Sequence, residues 1–294
     1  IGAVLWNASG VRAKNNTAEP ASDENQIFVM GEGTVGSIGW FVGQAGNSDF
    51  SNNKTSYSIQ WNSAGTVWGF GWRIDTSIVS KNIASWKIGW ENGTGPQSFY
   101  IGGFVWYTNG GSYTDNYSTT KISTSYIAPA WHIGGFVGIW GAVSMKRNYS
   151  SGTITSKNKN DYQLGGFAWS LTESNGLPYS VSDNFSTSGI IFEHGWLNDT
   201  LPSYVGWFVG FIPHRVAGMN NIFENNYYAN SNKGCAGSTP TSEQPSCTKV
   251  DQSALYSANH PVYTWTGDAW DFVGTWWIQN NALPLLKPSA TVGS

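Results

Sequence analysis

Charge is scarce in this 294-residue sequence: 15 Lys and Arg stand against 18 Asp and Glu, so 11% of residues are charged and the net charge is −3. No basic run occurs, and without one a chain has no electrostatic footprint for a phosphate backbone, which excludes nucleic acid as a partner. Long apolar stretches are missing as well. The longest, from Ile133 to Val143, is too short for a membrane helix and is broken by glycines, so no membrane span is expected. The Ala, Leu, Glu and Lys richness of helical domains is also absent. Chemistry-bearing motifs are equally thin. His132, His194, His214 and His260 lie far apart without HxxxH or HExxH spacing, and there is no G-x-S-x-G, P-loop or dinucleotide fingerprint. The acidic pairs Asp23/Glu24 and Asp268/Asp271 read as solvated or capping groups. The expectation is a protein that is not an enzyme, with no cofactor and no metal.

Cysteine is limited to Cys235 and Cys247, separated by a Gly, Ser, Thr and Pro-rich loop. An even count without CxxC spacing favours one disulfide in an oxidising compartment; two free thiols in a reducing one is the alternative. The chain begins at Ile1 without an initiator Met or a signal-like segment, the appearance of a mature exported protein or of a trimmed one. An extracellular or cell-surface location is expected.

What the chain does contain is 36 Gly, 17 Trp, 14 Tyr and 14 Phe, far too much apolar surface for a disordered polymer. These residues recur in a block: IGWFVG at Ile38 to Gly43, VWGFGW at Val67 to Trp72, IGGFVW at Ile101 to Trp106, IGGFVG at Ile133 to Gly138, LGGFAW at Leu164 to Trp169 and VGWFVG at Val205 to Gly210. Its phenylalanines, Phe41, Phe70, Phe104, Phe136, Phe167 and Phe208, form a column with a period near thirty residues. A second block follows, with Asn82, Asn116 and Asn148 each 12 residues after the preceding Phe and Asn184 and Asn226 at 17 and 18. A constant offset means one structural unit repeats, with loop insertions in the longer copies. Between blocks there is no 3.6-residue period, so the units are strands and turns. An all-β fold is expected: a β-solenoid of about six coils, with a non-repeating N-terminal cap (1–33), a repeat region (34–230) and a disulfide-bearing C-terminal cap (231–294).

The IGGFVG blocks followed by N-aromatic-S resemble the GLUG repeats of bacterial and archaeal cell-surface and adhesin-like proteins. The tail from Trp270 to Leu286, WDFVGTWWIQNNALPLL, is similar to the W-D-F…W…P-L ending of such arrays. Trp40, Trp68 and Trp207 depart from the pattern by standing where glycine belongs. The resemblance implies an exported β-solenoid and carries no catalytic residue.

Alternation along IGGFVG leaves both faces apolar, so the second face meets another layer of the chain, a neighbouring subunit, or a bulge at the Gly pair that turns it inward. The Phe column itself reads as a stacked core ladder. Before each repeated Asn stand Lys81, Asp115, Arg147, Asp183 and Asn225, whose alternating signs suit a register ladder. N-x-S/T sequons occur at Asn7, Asn15, Asn53, Asn92, Asn116, Asn148, Asn184 and Asn198, read either as glycosylation sites or as plain turn asparagines. The segment Ile1 to Trp6, with Val4 between, is an uncharged apolar strand that completes either its own sheet or a neighbour's. The functional expectation is an exported, glycosylated structural protein that assembles with copies of itself into a filament or surface layer. The alternatives are an adhesin binding cell-surface or matrix glycans through exposed rings such as Trp106, Trp140 and Trp169, and a polysaccharide-acting enzyme. With so few carboxylates, stability is expected to depend little on acidity.

Overall fold

The computed structural model describes residues 5–19, 26–29, 34–39, 41–61, 64–90, 98–124, 130–156, 162–171, 180–193, 204–212, 222–229, 234–238, 246–264, 269–279 and 281–288. The protein is all-β, as its composition demands, and its three large sheets are built from parallel pairs. The central path of the largest sheet takes its strands strictly in chain order: Leu5–Ser9, Val42–Gly46, Gly71–Ser80, Val105–Thr114, Val137–Trp140, Ala168–Leu171, Val209–Phe211 and Ala236–Ser238. A six-stranded sheet carries the residues leading into each Gly-Phe block, and a twelve-stranded sheet those following each Asn. Six repeats therefore contribute to all three sheets before the chain steps on to the next.

Two corners enforce this path. At the first, the bulge at the Gly pair is the arrangement found: Phe104 and Val105 both donate their backbone N–H to the Phe136 carbonyl, and Phe136 and Val137 both donate to that of Phe167. The bend turns Ile101, Phe104 and Val105 inward together, so neither face of the block is left bare. Glycine is required there, because a Cβ on Gly103 would overlap the Gly135 carbonyl oxygen and one on Gly102 that of Val105. Where Trp68 replaces the first glycine, its ring is buried and its indole N–H donates to the Val42 carbonyl at 3.1 Å. The Phe rings stack down the core at 4.8 Å between Phe70 and Phe104, 4.8 Å between Phe104 and Phe136, 4.9 Å between Phe136 and Phe167 and 4.8 Å between Phe167 and Phe208. Each such contact is worth about 0.5–1.5 kcal/mol beyond area burial.

At the second corner the residue before each repeated Asn has positive φ: Asn15 58°, Asn52 56°, Lys81 57°, Asp115 59°, Arg147 54°, Asp183 58° and Asn225 52°. The asparagine that follows points inward and links repeat to repeat. The Nδ2 of Asn53, Asn82, Asn116, Asn148 and Asn184 donates to the Oδ1 of the next asparagine at 2.9, 3.0, 3.0, 3.1 and 3.1 Å. The same Oδ1 also accepts the preceding asparagine's backbone N–H. The other Nδ2 hydrogen reaches a main-chain carbonyl, for example Asn116 to Val79 and Asn148 to Tyr113, both at 2.9 Å.

The N-terminal segment belongs to this scheme. Leu5–Ser9 pairs in parallel with Val42–Gly46, Arg12–Lys14 with Asp49–Ser51, and both Thr17–Ala18 and Gln26–Val29 with Lys54–Trp61. The segment expected as a non-repeating cap thus carries the strands of a repeat although it has no Gly-Phe block. At the other end, Ala236–Ser238 adds an eighth strand to the central path, so that path is longer than the six Phe blocks suggested.

Residues after Val250 lie against the exterior of the asparagine corner. There Tyr117, Tyr149 and Phe185 stack outward, with ring centroids 4.9 and 4.7 Å apart and planes within 3°. Trp270, Trp276 and Tyr263 cover them in a second buried cluster. Trp270 donates its indole N–H to the Asp183 carbonyl at 3.2 Å, and the Tyr149 hydroxyl donates to the Pro284 carbonyl at 2.7 Å. Burial holds the Tyr149 hydroxyl well above its ordinary pKa, which keeps that donor protonated.

Candidate functional surfaces

The sequon asparagines divide by environment. Asn53 is 1% exposed and Asn116, Asn148 and Asn184 are 0% exposed, and each amide nitrogen spends its hydrogens inside the ladder. A glycan needs that nitrogen and a path to solvent, so the row of sugars expected on Asn116, Asn148 and Asn184 is corrected to an internal amide ladder. The sequon pattern has another origin. The residue after each Asn is an outward ring, and the next, Ser118, Ser150 or Ser186, is buried; the Ser150 hydroxyl, for one, donates to the Gly166 carbonyl. Asn7 and Asn15 are exposed, while Asn92 and Asn198 lie outside the described residues.

The rings proposed as sugar platforms are also reassigned. Trp140 is fully buried in the core and Trp106 is 7% exposed. Trp106 lies over the notch at Gly138 and stacks on Trp169 at 5.5 Å. Trp169 in turn contacts His132 at 4.3 Å and donates its indole N–H to Gln163 Oε1 at 2.8 Å. Tyr100 completes the group, stacked on His132 at 4.9 Å. These faces are spent on one another, closing the seam between two sheets. Desolvation lowers the His132 pKa to about 4, with a smaller opposing contribution from Gln163, so at neutral pH the ring is uncharged and packs as an aromatic.

No known protein family, curated protein or solved structure matches this chain. Its functional surfaces are therefore read from geometry alone.

Among the described residues no three His, Cys, Asp or Glu side chains gather to hold a metal ion, and no helix is long and apolar enough to cross a membrane. His194, His214, Asp23, Glu24 and Asp268 lie outside the described residues. His260 packs edge-on against Tyr227 at 4.8 Å, and Asp271 accepts the Val273 and Gly274 N–H groups and the Thr275 hydroxyl, a turn-capping role that lowers its pKa.

The cysteines form a disulfide. Its place follows the repeat: the Cys235 carbonyl accepts the Phe208 and Val209 N–H groups as each Phe carbonyl does for the repeat before it, and Cys247 is the register partner of Asn226. Cys235 thus stands in the Phe column and Cys247 in the Asn column, at the same 12-residue offset. The bond locks the two corners of the last repeat together.

One rung of the expected charge ladder is an ion pair. Arg147 Nε and Nη2 donate to Asp115 Oδ1 and Oδ2 at 2.8 and 3.2 Å, and the Trp276 indole N–H also donates to Asp115 Oδ1 at 2.9 Å. Asn225 Nδ2 donates to Asp183 Oδ1 at 2.6 Å.

Both ends of the array are sheet edges. Among the described residues Leu5–Ser9 pairs with Val42–Gly46 on one side only, and Ala236–Ser238 and Cys247–Val250 each terminate a sheet at the other end. The proposed assembly strand is placed in part: Leu5 onward pairs within its own chain, while Ile1 and Val4 lie outside the described residues, and Trp6 falls within the paired strand. From Leu5 to Ser9 the pairing is that of the own-chain alternative.

Proposed function

We propose that this chain is an exported, non-catalytic structural protein, a β-solenoid of the GLUG-repeat kind that stacks head to tail into an extracellular filament or surface layer. The observation that carries the reading is the pair of open edges at opposite ends of sheets whose pairs are all parallel. A parallel edge accepts the next parallel strand with no change in geometry, and identical subunits joined end to end propagate unless the contact closes into a ring. The Cys235–Cys247 disulfide supports an oxidising compartment. Among the sequon asparagines of the described fold, exposed Asn15 is where a glycan fits clear of the outermost strand Leu5–Ser9.

Negative-stain microscopy with light scattering tests this directly, and a native protein that stays monomeric at high concentration overturns it. Lysines at exposed Asn7 and Ser9 on the outermost strand should abolish filaments while leaving the β circular dichroism unchanged. Filaments that persist in Asn7→Lys/Ser9→Lys would show that the contact lies elsewhere.

A further inference from the structure

The C-terminal segment covers the outward column of the asparagine corner over Tyr117, Tyr149, Phe185 and Tyr227. Between its last described residues, Lys287 and Pro288, and the N-terminal part of the column lies a groove of about 410 Å³, within the ~300–1,000 Å³ typical of small-ligand sites. Its walls carry Lys54, Lys81 and Lys287 with Ile83, Trp277 and Leu285, and none of the described residues lining it is a carboxylate. Trp277 is 38% exposed and Leu285 37%, two of six large apolar side chains exposed among the described residues. The amines have anchors at the rim: Lys54 pairs with Glu19 at 2.5 Å, Lys287 donates to the Phe272 and Val273 carbonyls, and Lys81 lies near enough to Asp271 to help lower its pKa. With Glu19 and Asp271 counted, the five groups still carry one net positive charge, in a protein of net charge −3.

We infer that this groove binds an acidic polysaccharide, with uronate carboxylates meeting the lysines and a sugar ring lying on Trp277. The argument is one of complementarity. Three lysines along one groove outnumber the two carboxylates beside them and favour an anion, and an exposed indole among them favours a ring with an apolar face. A groove of this polarity suits a sugar chain. The site runs along the side of the array and reaches the outermost repeat at Thr17, and its argument does not rest on the assembly reading.

Titration calorimetry with a short galacturonate oligomer, a neutral cello-oligomer of the same length and a short poly-glutamate peptide tests it. The galacturonate oligomer should bind with an affinity that falls as salt rises, and the neutral one should not bind. Lys81→Asn keeps a side chain that the neighbouring repeats already use at that backbone position, at Asn15, Asn52 and Asn225, so it should fold normally and weaken binding about tenfold. Trp277→Ala should do the same and Trp277→Tyr restore it. The assignment is overturned by absence of galacturonate binding, by binding that survives Lys81→Asn, or by poly-glutamate binding equally well, which would mark a peptide groove. Loss of assembly in Trp277→Ala with galacturonate binding intact would instead make the groove a contact between copies.

Discussion

Replacing Asn148 by alanine cuts the internal ladder at its middle. The side chain accepts the backbone N–H and Nδ2 of Asn116 on Oδ1, both at 3.0 Å, and donates to the Tyr113 carbonyl at 2.9 Å and to Asn184 Oδ1 at 3.1 Å. Not all of these losses count equally. Asn116 Nδ2 keeps the Val79 and Thr114 carbonyls, and Asn184 Oδ1 keeps the Asn148 backbone N–H at 2.9 Å. The Asn116 N–H and one bond to the Tyr113 carbonyl are left without replacement in a dry interior, at about 1–3 kcal/mol each, so the variant should lose about 2–6 kcal/mol. For a domain of this size that is a fall in Tm of about 10 °C. Asn16→Ala is the internal control, because Asn16 is exposed at the end of the ladder and its loss should cost less than about 1 kcal/mol. Urea denaturation followed by far-ultraviolet circular dichroism measures both. Equal costs for the two variants would refute the ladder, and so would glycopeptide mapping of native material that places a glycan on Asn148.

Other outcomes follow from the same geometry. Reducing the disulfide, or replacing Cys235 and Cys247 by serine, should cost about 3 kcal/mol at the C-terminal end for a loop of 12 residues, and an unchanged melting curve would contradict its locking role. His132 has its folded pKa lowered from 6.5 to about 4, so the unfolded chain takes up a proton that the folded one refuses; stability should fall as pH drops below about 6.5 and level off below about 4. Urea midpoints across that window should flatten in His132→Gln, and this amends the expectation of acid indifference at one residue. A double-mutant cycle on Asp115 and Arg147, whose side chains are only 9% and 15% exposed, should give a coupling energy of about 0.5–3 kcal/mol, whereas strict additivity would show that the pair is idle.

The Phe column was legible because its block is long, apolar and glycine-marked, a combination that only a tight inward bend satisfies. The asparagine column was equally visible, but its meaning was not. Sequons and buried ladders share the pattern N-x-S, and burial, which separates them, is a property of the neighbouring repeats. Two signals were present without being used. Cys235 and Cys247 have the Phe-to-Asn spacing, which places them as a final repeat. The rings at Tyr117, Tyr149, Phe185 and Tyr227 alternate with the buried Asn and so point outward, where a row of aromatics requires a cover; the Trp-rich tail provides it. The first repeat escaped notice because nothing aromatic marks its corner, only Asn16 twelve residues after Val4. The lysine groove was out of reach altogether, since Lys54, Lys81 and Lys287 come from three distant parts of the chain.

The amide ladder runs one way: each asparagine receives on Oδ1 from the repeat before it and donates to the repeat after it, and at the last repeat the position passes to Cys247. In a head-to-tail stack of copies no side-chain amide therefore crosses from one molecule to the next. Pulled along its axis, such a fibre behaves like a chain of stiff rods with softer joints. The rods hold through stacked rings, amides and a covalent bolt, and the joints hold through main-chain hydrogen bonds alone, so under load the fibre parts into intact subunits before any of them unravels.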